Sequence, residues 1–160
     1  MACPLYLAVL SFVAGCAGSV PNDSACRNLV YEEGGLSRSV YLPCAGEIMA
    51  ALDIVDPKTK LALDGDRQAR AEGAAALRRA LALMEAAGGR NLLERWEDRA
   101  LTDMNITMSN AVNHYQAFYM LRVYDKPHPY ADKMREAAES EYRGATRTYH
   151  EARRRYRTLL

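Results

Sequence analysis

At 160 residues the chain is about one domain long, and its 49 % hydrophobic and 26 % charged composition is that of a folded protein, not a disordered one. Twenty-one Lys and Arg against twenty Asp and Glu leave a formal charge of +1, so the average lacks the surplus expected of a nucleic-acid binder. The distribution is uneven, because two of the four cysteines and no charged residue fall within the first sixteen positions.

The apolar run from Pro4 to Ala14 suits the hydrophobic part of a signal peptide and is too short to span a bilayer. It ends in Val13-Ala14-Gly15-Cys16, an aliphatic residue and two small ones before a cysteine, and this resembles the lipobox of bacterial lipoproteins. The resemblance covers residues 1–16 alone. It implies that residues 1–15 are a signal peptide and that the Cys16 thiol carries lipid and becomes the new N-terminus. The protein would then be held on a membrane of the cell envelope by acyl chains, each buried CH₂ contributing roughly 0.8 kcal/mol. No Lys or Arg precedes the apolar run, so the terminal amine would be its only positive charge. Two other readings of these residues stay open: cleavage at the small-x-small site Gly15-Cys16-Ala17, and a buried first helix.

Residues 16–25 are small and polar and read as a flexible tether, leaving 26–160 as the folded domain. In an exported protein Cys26 and Cys44 most simply pair, and a bridge over that loop would contribute about 3 kcal/mol. Buried free thiols are the alternative, while metal ligation is disfavoured because there is no C-x-x-C and no nearby histidine.

Helical periodicity dominates the remainder of the chain. A first helix is expected from about Pro43 to Ile54, burying Cys44, Ile48, Leu52 and Val55, with Asp56-Pro57 as a stop and restart. A second runs from about Asp66 to Ala87, with Ala69, Gly73, Leu77, Ala80, Leu81 and Met84 on its inner stripe and Gly88-Gly89 ending it. Asn91 with Glu94 resembles a capping box, and Thr102 is read as the cap of a third helix reaching about Tyr124. Lys126-Pro127-His128-Pro129 breaks that helix, and a last one runs from Pro129 towards Leu159. The expected fold is an all-α bundle of about four main helices.

Asn110 and His114 share a face of the third helix, and with Tyr115 they form a candidate ligand pocket. A buried polar network that fixes helix register explains the same residues. No Glu-x-x-His pair, haem-attachment motif, G-x-S-x-G, Walker A or H-E-x-x-H occurs, so no metal, cofactor or catalytic residue is assigned. On the last helix Tyr142, Tyr149 and Tyr156 recur every seven residues, with Ala138, Ala145 and Ala152 between them, a seam for the bundle or for a partner helix. Six arginines lie between Arg143 and Leu160 against Glu151 alone, and Arg147, Arg153, Arg154, Arg155 and Arg157 make a candidate basic patch.

Together these features point to a lipid-anchored cell-envelope protein, non-enzymatic, acting as a structural or interaction module. Its expected partners are the membrane and an envelope protein or an anionic lipid or polymer, not nucleic acid. The alternative is a bundle that binds a small molecule or cofactor around Asn110 and His114.

Overall fold

The computed structural model describes residues 20–29, 31–32, 35–36, 38–88, 99–122 and 129–157. Cys16 and the signal segment lie outside them, as does the Asn91–Glu94 cap. Among the described residues four helices follow one another: α1 (Arg38–Leu63), α2 (Arg67–Ala86), α3 (Arg99–Arg122) and α4 (Ala131–Arg155). A two-residue antiparallel ladder, β1 (Tyr31–Glu32) with β2 (Gly35–Leu36), precedes α1.

The helices run up, down, up and down, as the cross-helix pairs establish. Asp53 and Gly46 of α1 meet Tyr142 and Tyr149 of α4, so those two helices are antiparallel. Tyr41 and Thr59 of α1 meet Asn105 and Tyr119 of α3, so those two are parallel. The all-α bundle expected from the periodicity is the fold.

Local chemistry explains most boundaries. Between α1 and α2, Gly65 takes a φ of +93°, and the Ala69 N–H donates to the Asp66 carboxylate at 2.9 Å, capping α2. Gly88 (φ +94°) ends α2 in the left-handed conformation. Asp56-Pro57 does not interrupt α1, which continues through both Pro43 and Pro57. Both prolines are on the exposed side, where water can reach the carbonyls they leave unbonded, while Leu52, Val55 and Thr59 are fully buried on the other. Tertiary burial overrides the local break. Thr102 likewise lies inside α3, which begins at Arg99, so it is not a cap. The regular part of α4 ends at Arg155, making it about 37 Å long and shorter than the pattern suggested.

Residues 24–26 pack against α1. Ser24 Oγ donates to Glu47 Oε2 and the Ala25 N–H to Glu47 Oε1, both at 2.7 Å. Cys26 is joined to Cys44 by a disulfide, and both half-cystines are completely buried. The reading of 16–25 as a loose tether is therefore shortened, because Val20 and Ser24 already belong to the buried interior.

The core is built on two seams of α4. Ala131, Ala138, Ala145 and Ala152, seven apart, are all fully buried and let α3 approach closely. Thr107 of α3 meets Thr148 of α4 at 3.3 Å there. Tyr142, Tyr149 and Tyr156 flank the alanines, and the first two reach across to α1. The tyrosine seam is taken up inside the bundle through Tyr156, which is only 8 % exposed.

Candidate functional site

Two groups of side chains stand out: tyrosines bonded across the bundle, and arginines that face outward from the end of α4.

The tyrosines tie α3 and α4 to α1. Tyr41 Oη donates to Asn105 Oδ1 at 2.5 Å, and Tyr115 Oη to Asp56 Oδ1 at 2.6 Å. Tyr142 Oη donates to Asp53 Oδ1 at 2.6 Å. Thr59 Oγ1 donates to the Val55 carbonyl and lies 3.2 Å from Tyr119 Oη. Burial pushes the Tyr41 hydroxyl well above the ordinary tyrosine range. Tyr115 and Tyr142 are raised by burial first and then by bonding to a carboxylate that favours the neutral phenol. These hydroxyls are held as donors and cannot act as bases near neutral pH. Lys60 occupies the other Asp56 oxygen at 2.8 Å, and Arg135 bonds Glu139 at 2.7 Å. The arrangement fixes register across the bundle, with Arg135 Nε left as a buried donor without a partner among the described residues.

The predicted pocket residues divide between two faces of α3. Tyr115 reaches α1 through Asp56. Asn110 and His114 follow Thr107 at spacings of three and seven, on the stripe where Thr107 meets α4, and His114 is about 100° around the helix from Tyr115. Both are half-buried. The three do not converge on one space, although His114 Nδ1 is buried without a hydrogen-bond partner among the described residues. Asn105, not Asn110, is the asparagine that α1 engages. Asp53 and Asp56 were missed as network members, although three residues apart on one helix they share a face. Among the described residues no group of three or more His, Cys, Asp or Glu side chains is arranged to hold a metal.

The arginines have the opposite character. Arg143, Arg147, Arg153, Arg154, Arg155 and Arg157 are all exposed. Among the described residues none of the six is within ion-pair distance of a carboxylate. His150, Arg153, Arg154 and Arg157 line an open groove of about 360 Å³. A second groove of about 210 Å³, lined by Arg99, Asp103, Thr148, Glu151 and Arg155, lies between α3 and α4 at the same end. Arg153 sits 5.7 Å from the Tyr149 ring centroid and Arg155 5.8 Å from that of Tyr156, so stacking orders two of the guanidiniums. Cations in the last turn also complement the helix dipole. That accounts for part of the charge but not for arginines two turns or more upstream, such as Arg147 and Arg143.

No protein-family model, no curated protein and no solved structure matches this chain. Among the described residues no helix is long and apolar enough to cross a membrane.

Proposed function

We propose that this is a lipid-anchored protein of the cell envelope, attached through Cys16 and working as a non-enzymatic structural or interaction module. The observation that carries the interaction role is the second half of α4 with the turn that follows it, six exposed arginines without carboxylate partners among the described residues. The alanine and tyrosine seams of that helix are turned into the bundle, so this basic stretch faces outward and is open to another molecule. Support for the anchor comes from the Val13-Ala14-Gly15-Cys16 motif, and a disulfide fits an exported domain.

Metabolic labelling with a fatty-acid analogue tests the anchor. The natural chain should be labelled and sediment with membranes, whereas Cys16→Ser should be unlabelled. A Cys16→Ser chain that still takes up label would overturn the assignment. For the interaction role, substitution is preferable to truncation, because cutting at Arg153 would also remove the core residue Tyr156.

A second reading, a ligand site around Asn110 and His114, has one observation in its favour, the unpartnered Nδ1 of His114. A ligand-induced rise in melting temperature that His114→Gln abolishes would support it.

A further inference from the structure

We propose that the end of the bundle formed by the start of α1 and the finish of α4 faces the membrane and binds anionic lipid headgroups, giving the protein an electrostatic attachment beside its lipid. The inference rests on lipidation at Cys16 and adds an orientation and a partner chemistry to it.

Three observations converge. First, the chain enters the bundle at a fixed place. Ser24 and Ala25 are bonded to Glu47, and Cys26 is bridged to Cys44, so the N-terminal segment is tied to the first half of α1. Gly46 packs against Tyr149 with no room for a side chain, since a Cβ would come within 2.6 Å of the tyrosine hydroxyl. The antiparallel register therefore sets this attachment level with residues around 148–151 of α4, inside the arginine-rich stretch.

Second, the leash is short. Cys16 precedes the buried Val20 by four residues, which span at most about 14 Å when fully extended. Electrostatic attraction to a charged bilayer decays over roughly 8–10 Å at physiological salt, so it matters only for residues kept near the surface. A leash of this length keeps the entry side of the bundle near that range, where a long linker would not.

Third, charge is polarised along the bundle axis. Arg147, Arg153, Arg154 and Arg157 are exposed near the entry end, and Arg99 is exposed at the start of α3 on the same end. At the opposite end the charges cancel, because Asp64, Asp66, Asp132 and Glu136 lie among Lys58, Lys60, Arg67, Lys133 and Arg135. An anionic surface therefore attracts the first end over the second. Acyl chains combined with a basic patch are the pairing that makes membrane attachment firm.

The test uses the full chain carrying Cys16→Ser, so that no lipid contributes, and two vesicle preparations: phosphatidylcholine alone, and phosphatidylcholine with about a third phosphatidylglycerol. The apolar leader partitions into both, so the ratio of the two binding constants reports the arginines. At low salt the ratio should be on the order of tenfold in favour of anionic vesicles. It should fall towards one when Arg147, Arg153, Arg154 and Arg157 are all changed to Gln, with the helical circular dichroism unchanged. A ratio near one for the parent chain, or an unaltered ratio in the folded quadruple variant, overturns the proposal. Fatty-acid labelling of the natural chain is scored separately. Missing label with the anionic preference intact refutes the anchor and leaves the basic surface standing.

Discussion

Tyr41, Tyr115 and Tyr142 hold protons that an unfolded chain would release near pH 10. Their hydroxyls are raised in the fold, by burial in all three and by carboxylate partners in two. The folded state therefore binds more protons than the unfolded one above that pH. The stabilisation is fully present below pH 10 and is lost as pH climbs through the alkaline range. Melting temperature should fall steeply above about pH 10, and the 295 nm phenolate signal of these residues should appear only with unfolding. Free titration of all ten tyrosines in the folded protein would contradict this. At this scale the sequence was half legible. Tyr115 was named as a polar residue of the third helix and Asn105 was not, and their partners Asp56 and Tyr41 lie 59 and 64 positions away. Nothing local signals such a pairing.

Among the elements, the glycines separate close approach from open space. A Cβ on Gly73 would collide with Tyr119 Oη and lie 3.1 Å from Lys58 Cβ. Tyr119 Oη is itself held against Thr59, so it has no easy retreat. On Gly144 the nearest atom would be Thr107 Cγ2 at 3.4 Å, an ordinary contact. Gly73→Ala should therefore destabilise by about 1–3 kcal/mol despite the better helix propensity of alanine. Gly144→Ala should stabilise by about 0.5–1 kcal/mol. Chemical denaturation of the two variants checks both signs. Gly73 was legible as a member of the inner stripe of α2, and Tyr119 is the side chain that fills the space beside it. Pro57 was misleading for the converse reason: its local signal is a helix break, and the buried Val55 and Thr59 on either side outweigh it. The seven-residue alanine and tyrosine repeat of α4 was readable because a regular helix converts sequence spacing directly into a face.

At the level of the whole molecule, the fold was the most legible property, since four amphipathic helices have few ways to bury their stripes. The character of the arginine stretch was less legible: the run itself could be read, but that none of the six meets a carboxylate among the described residues emerges only with all four helices in place. The disulfide acts at this scale as well, joining the entering segment to the bundle. Reducing it, or making Cys44→Ala, should cost about 3 kcal/mol for a loop of this size. The helical signal should persist, and residues before α1 should exchange their amide hydrogens faster. Retention of full protection there after reduction would mean that Glu47 alone secures the segment.

With the chain anchored through Cys16 as proposed, the bridge would also set the mechanical path from anchor to domain. A pull on the anchor would pass from Cys26 straight into Cys44, six residues inside α1, bypassing the segment between the two half-cystines. The β1–β2 ladder within that segment would be spared the tension. Load would arrive on the flank of a packed helix instead of at its first turn. A protein tethered this way could be tugged without being unzipped from its end.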